Sequence, residues 1–189
     1  MKYEVYYWEE PGRENTEATI DAALKRAKEL GIKDIVVASC GGYTTKLLAQ
    51  KAGDMSIVSV AHQSGFREPG KCEMPADTEK ELTARGIKVY TGTHFFGGLG
   101  RAIRFKFGGI EVDELAANTL RIFGHGTKVA IEIAIMALDA GLIPYDQEIV
   151  SIGGTGQGAD TAIVCLPRHG KDFFSFEVRE IICKPRTRK

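Results

Sequence analysis

Two short runs, DIVVAS at 34–39 and SIVSVA at 56–61, constrain the fold more than anything else in the chain. Each is continuously apolar, the pattern of a strand covered on both faces, so it belongs to a sheet with helices on either side. A helix over 44–52, ended by Gly53, joins the two runs. Ahead of them Ile20, Ala23, Leu24, Ala27 and Leu30 recur at helical spacing, from a cap at Asn15 or Thr16 to a stop at Gly31.

The remainder continues the alternation. YEVYYW (3–8) reads as a short strand, Pro75 opens a helix over 75–85, and IKVYT (87–91) is a strand. From 98 to 140 the periodicity is helical, broken at Gly108 and Gly109 and again at Gly124 to Gly126. KVAIEIAIMALDA is apolar almost all round, which predicts a buried helix. Strands follow at 148–154 and 159–167, and FFSFEVREIIC (173–183) pairs antiparallel with its predecessor through the turn RHGKD. The expected fold is one domain of α/β class: a three-layer α/β/α sandwich with a mostly parallel mixed sheet and an antiparallel C-terminal edge strand.

A chain of 189 residues buries a sizeable core without staples. Its 25 basic and 25 acidic residues leave no net field, so nucleic acid is not the expected partner. The tail KPRTRK, with Lys184, Arg186, Arg188 and Lys189, either touches an anionic surface or is a solvated end. Cys40, Cys72, Cys165 and Cys183 show no zinc-finger spacing and read as reduced thiols. No apolar run reaches the roughly 18 residues a membrane span needs, and the polar N-terminus is no signal peptide, so the expected location is the cytoplasm without membrane contact.

In open parallel sheets ligands settle beyond the carboxyl ends of the strands. Four segments rich in glycine or hydroxyls fall at such ends: SCGGYTT, HQSGF, GTHFFGG and GGTGQGAD. In the first, Gly41 and Gly42 permit close backbone approach, the helix N-terminus offers N–H groups, and Ser39, Thr44 and Thr45 offer hydroxyls. The same residues serve equally as a capped turn. GGTGQGAD opens a strand rather than a helix and lacks G-K-[ST], so it is neither a dinucleotide fingerprint nor a Walker loop. His62 is a candidate acid or base with Ser64, Gly65 and Phe66 beside it, and His94 has similar standing between Thr93 and Phe95. Glu132 interrupts the apolar helix and needs a partner, either Lys128 one turn earlier, a loop or a ligand. No residue cluster reads as a metal site.

DIVVASCGGYTTKLLA and SIGGTGQGADTAIVCL resemble two segments of the pyruvate kinase C-terminal domain, although Ala159 and Asp160 depart from its usual hydroxyl and amide pair. EEPGRENTEATIDAALKRAKELGI, AHQSGFREPG, FGHGTKVAIEIAIMALDAG and FEVREIICKPR are similar to hallmarks of small stand-alone prokaryotic proteins built on that domain. The resemblance implies a three-layer sandwich with a five-stranded mixed sheet. It carries no pyruvate kinase chemistry, whose machinery lies in a separate barrel domain. It also implies bound flavin mononucleotide (FMN). On that reading Ser39, Gly41, Gly42, Thr44 and Thr45 cradle the phosphate. His62, Ser64, Gly65, Phe66, Thr93, His94, Phe95, Gly153, Gly154, Thr155, Gly156, Gly158 and Asp160 then line the ribityl chain and ring. The alternatives are a module that senses a sugar phosphate or other phosphorylated metabolite, and a phosphosugar isomerase or lyase with His62 or Glu132 as base. Helix 98–107 can pack in the core or against a second subunit, making a homodimer an open expectation.

Overall fold

A computed structural model describes residues 3–187; Arg188 and Lys189 of the basic tail lie outside the described residues. The strands are β1 (Tyr6–Trp8), β2 (Asp34–Ala38), β3 (Ser56–His62), β4 (Lys88–Gly92), β5 (Ile149–Gly153), β6 (Thr161–Leu166) and β7 (Glu177–Pro185). The helices are α1 (Thr16–Leu30), α2 (Tyr43–Lys51), α3 (Ala76–Ala84), α4 (Leu99–Phe107), α5 (Val112–Leu120) and α6 (His125–Asp139).

All seven strands join one sheet in the order β1-β7-β6-β5-β2-β3-β4. β6 is antiparallel to both β5 and β7, and every other pairing is parallel. The sheet is therefore mixed with a single reversed strand, and the C-terminal strand makes the expected antiparallel pairing. It has seven strands where five were implied; one of the two additions is Tyr6–Trp8, a short parallel strand outside β7. β7 starts at Glu177 rather than at 173, since Gly170–Ser175 forms a 3-10 turn. That turn sets Phe173 against Phe95 and Phe96, with ring centroids 5.9 and 5.5 Å away.

The continuous run in β2 is explained by its two covered faces. Ile35 and Val37 pack with Ile20 and Leu24 of α1, Leu48 of α2 and Leu82 of α3. Val36, pointing the other way, packs with Ala130, Ile133 and Ala134 of α6. Full burial of each such aliphatic side chain contributes about 1.5–3 kcal/mol, so β2 is anchored from both layers at once. α6 is buried from Gly126 to Leu138 apart from partly exposed Val129. α4 behaves oppositely: although rich in apolar residues, it buries none of them. Leu99, Phe105 and Phe107 are 76%, 74% and 74% exposed, so α4 does not join the core.

Because β2, β3, β4 and β5 run parallel, their carboxyl ends lie on one edge of the sheet. The loops after Ala38, His62, Gly92 and Gly153 are delivered there together.

Candidate functional site

A cavity of about 640 Å³ opens at that edge, a size within the roughly 300–1,000 Å³ typical of small-molecule sites. Ser39, Gly41 and Thr44 line it from the β2–α2 loop, His62 from the end of β3, Phe66 and His94 from the next two loops. Glu132 lines it from α6, and Gly154, Gly156 and Gly158 from the loop after β5. The four segments singled out by sequence do converge.

At the β2–α2 loop, Gly42 has φ 86°, a left-handed backbone that glycine adopts readily. A Cβ there would also stand 2.4 Å from Thr78 Cγ2 of α3. Gly41, by contrast, has nothing within 4 Å of where a Cβ would be, so the cavity reaches its backbone directly. The N–H groups of Tyr43 and Thr44, in the first turn of α2, have no protein acceptor among the described residues, and the helix dipole adds partial positive charge there. Ser39 Oγ accepts the Thr45 N–H at 3.4 Å. Thr45 itself is fully buried and turns away, its hydroxyl 2.7 Å from Ser59 Oγ of β3.

The walls are cationic. Arg13, Arg101 and Arg121 line the cavity, and none pairs with an acidic side chain among the described residues. Arg13 lies over the Tyr43 ring at 3.9 Å and Arg101 over Phe66 at 5.3 Å. Arg121 donates to Asn118 Oδ1 at 2.8 Å. The two acids that line the cavity are already engaged. Glu132 pairs with Lys128 and accepts the Phe96 N–H at 3.0 Å. Glu73 accepts from Arg67 Nε at 2.7 Å and contacts His62 Nδ1 at 2.5 Å. Burial pushes the Lys128 ammonium below its ordinary range, opposed by the Glu132 charge.

Between these charges sits an aromatic group. The rings of His62, Phe66 and His94 have mutual centroid distances of 4.1, 4.9 and 5.1 Å. Burial lowers the His94 pKa to about 4, so its imidazole is neutral near pH 7. Its Nδ1 is enclosed and meets no partner among the described residues.

Several candidate residues lie elsewhere. Ser64 and Thr93 are exposed outside the cavity. Gly65 and Thr155 line neighbouring depressions, and Phe95 belongs to the cluster with Phe96 and Phe173. Gly153 is a buried strand end. Asp160 is fully buried and accepts from Gly12 N at 3.2 Å, Thr155 N at 3.0 Å and Thr161 Oγ1 at 2.7 Å, bracing the glycine loop from behind. Arg13, Cys40, Arg67, Glu73, Arg101 and Arg121 enter the cavity without having been singled out for it. Cys40 stands in SCGGYTT itself; no local motif links the other five to it or to one another, and only the tertiary fold assembles them.

Four parallel strands bring glycine-bearing loops and arginines to one cavity at the strand ends, the edge where open α/β sheets generally carry their ligand sites. The sequence matches the family described as pyruvate kinase, alpha/beta domain, over residues 17–165, and the chain belongs to that family. Among solved structures it is similar to a pyruvate kinase from Cryptosporidium parvum, with 18% identity and a TM-score of 0.39 over 74% of this chain and 20% of that one. It is also similar to the Cryptosporidium parvum pyruvate kinase in complex with ADP, with 17% identity and a TM-score of 0.40 over 79% of this chain and 22% of that one. The chain thus spans about a fifth of the length of those enzymes. Among the described residues no helix is long and apolar enough to cross a membrane.

Proposed function

We propose that the chain binds a phosphorylated small molecule with a planar ring, and that this ligand is FMN. The observation that carries the reading is the charge of the cavity: three arginines without acidic partners face a helix N-terminus with open N–H groups. A phosphate supplies the missing counter-charge and accepts those N–H groups. Gly41 and Thr44 hold it on this reading, with Ser39 behind them, while His62, Phe66 and His94 offer an aromatic surface for a ring. Bound flavin supplies hydride or electron transfer, and the protein contributes orientation and electrostatics.

Titration of FMN into flavin-free protein, followed by quenching of flavin fluorescence, tests this directly. Saturable binding at one equivalent is expected; absence of binding together with colourless purified protein overturns it. A thermal-shift panel separates the sensor alternative, because a ligand at about 100 times its dissociation constant adds about 2.7 kcal/mol of stability. Greater stabilisation by sugar phosphates than by FMN assigns the cavity to a phosphometabolite. The isomerase or lyase reading has less support at Glu132, whose two oxygens are both held.

We also propose that a second copy of the chain covers the α4–α5 face. Eight apolar side chains from 99 to 123, Leu99, Phe105, Phe107, Ile110, Val112, Leu115, Ile122 and Phe123, are more than half exposed. A standard interface buries about 800 Å² on each partner, and three phenylalanines at 150–250 Å² each supply much of it. The same surface carries basic Lys106 on α4 and acidic Glu111 and Asp113 around the start of α5, while Arg104 and Glu114 already pair within the chain at 2.8 Å. A two-fold axis sets one against the other. The location proposed is the cytoplasm, in keeping with four cysteines that are all unpaired.

A further inference from the structure

At the β3 side of the cavity, three side chains from three different segments bring together a thiol, an imidazole and a carboxylate. Cys40 stands in the β2–α2 loop, His62 ends β3, and Glu73 comes from the loop before α3. One ligand-type atom from each lies within 4.8 Å of the other two, and all three residues are partly buried. We propose that Cys40, His62 and Glu73 form a zinc site with its fourth position open to the cavity.

The donor set argues for zinc. One sulfur, one nitrogen and one oxygen suit a borderline-soft ion, whereas magnesium and calcium prefer oxygen alone. Donors on a tetrahedral zinc stand about 3.3–3.6 Å apart, as follows from bonds of about 2.0–2.3 Å. All three atoms lie within 4.8 Å of one another, so the widest pair must close by at most about 1 Å, and His62 Nδ1 and Glu73, 2.5 Å apart, must part by about 1 Å. Glu73 sits on a loop, which accommodates such a shift more easily than a strand. On binding, the Cys40 thiol proton leaves to solvent, and the proton between His62 Nδ1 and Glu73 moves to the far ring nitrogen.

One donor, Glu73, already has an outer partner of the kind that orients metal ligands. Arg67 Nε holds the other Glu73 oxygen at 2.7 Å. Three protein donors leave one coordination position, the pattern of a zinc that accepts water or an anionic ligand atom rather than a purely structural one.

The site stands independently of the flavin reading and is tested with metal alone. Chelator-treated protein without added flavin is titrated with Co²⁺ as the spectroscopic probe and then with Zn²⁺. One equivalent of Co²⁺ should give a thiolate-to-metal charge-transfer band with tetrahedral visible bands, both displaced by Zn²⁺. Cys40→Ser should abolish the charge-transfer band, and Glu73→Gln should weaken affinity at least tenfold, with far-ultraviolet circular dichroism unchanged. Cys72→Ser, which alters the exposed thiol next to Glu73, should leave the band intact. No stoichiometric binding, a band that survives Cys40→Ser, or one lost in Cys72→Ser overturns the proposal. If either variant fails to fold, zinc protection of Cys40 from alkylation in the unaltered protein decides: protection supports the site, and an unchanged rate overturns it.

Discussion

Lys128 and Glu132, one turn apart on α6, form an ion pair inside the cavity wall with 6% and 2% of their surfaces exposed. Removing one partner leaves a buried charge uncompensated, which typically costs about 3–5 kcal/mol. Glu132→Ala should lose that much in urea denaturation and also release the Phe96 N–H. The double variant Lys128→Met with Glu132→Leu, which removes both charges, should recover most of the loss. Equal stability of the single and double variants would contradict a paired role.

The neighbouring glycines of the β2–α2 loop should separate folding from binding. Gly42→Ala places a methyl against Thr78 at a left-handed φ, and a cost of about 1–3 kcal/mol is expected. Gly41→Ala meets open space, so its melting temperature should stay near that of the parent while its methyl intrudes where a phosphate is proposed. Calorimetry on both, with FMN titrations on the second, gives the comparison.

Arg101 and Arg121 should matter to ligand but little to the fold, since neither pairs with an acid among the described residues. A hydrogen bond to a charged group contributes about 1.5–3 kcal/mol, so each alanine variant should weaken FMN binding about 10- to 100-fold. The dependence of affinity on salt should also become shallower. Unchanged affinity in both would remove the electrostatic basis for the proposed ligand.

Alkaline pH should destabilise the chain through its buried thiols. Cys165 and Cys183 are fully buried, and desolvation raises both above the ordinary 9.0, Cys183 to about 12. Their stabilising effect is complete below pH 9 and is lost as pH rises toward the folded value, because the unfolded chain ionises first. The limiting slope is about 1.4 kcal/mol per pH unit for each thiol. Melting curves between pH 8 and 10 should show the decline, and Cys183→Ala should flatten it.

Association through α4 and α5 should be visible in sedimentation. The unaltered chain is expected to dimerise at micromolar concentration, and Phe105→Asp with Leu115→Asp should yield monomer with an unchanged far-ultraviolet spectrum. A monomeric parent at high concentration would refute the proposed second copy.

The layered sheet was legible because burial on both faces leaves a plain mark: Ile35, Val36 and Val37 allow almost no other reading. The convergence of four loops followed from strand direction alone. The orientation of individual side chains did not. Thr45 carries the same hydroxyl as Thr44, but its position on α2 turns it beneath the loop to Ser59. Asp160 looked like part of a ligand loop and instead accepts three hydrogen bonds that hold the loop in place. Arg13, Arg101 and Arg121 come from opposite ends of the first two-thirds of the chain, and no local pattern links them. Cys40 lay within the most closely read loop, yet its significance depends on Glu73, whose surroundings have no motif.

The reversed strand has a further consequence for the order in which the molecule assembles. β5, β6 and β7 form a meander in which Gly153 pairs with nearby Thr161, so the cost of closing that loop is small. β2 must instead find β5, pairing Ile35 with Val150 across most of the sequence, a slow search by the dependence of folding rate on contact separation. The β2–α2 loop reaches the glycine loop after β5 only when that search ends. Capture of the proposed ligand should therefore appear among the last events of refolding, as a kinetic signal that the two halves of the sheet have joined.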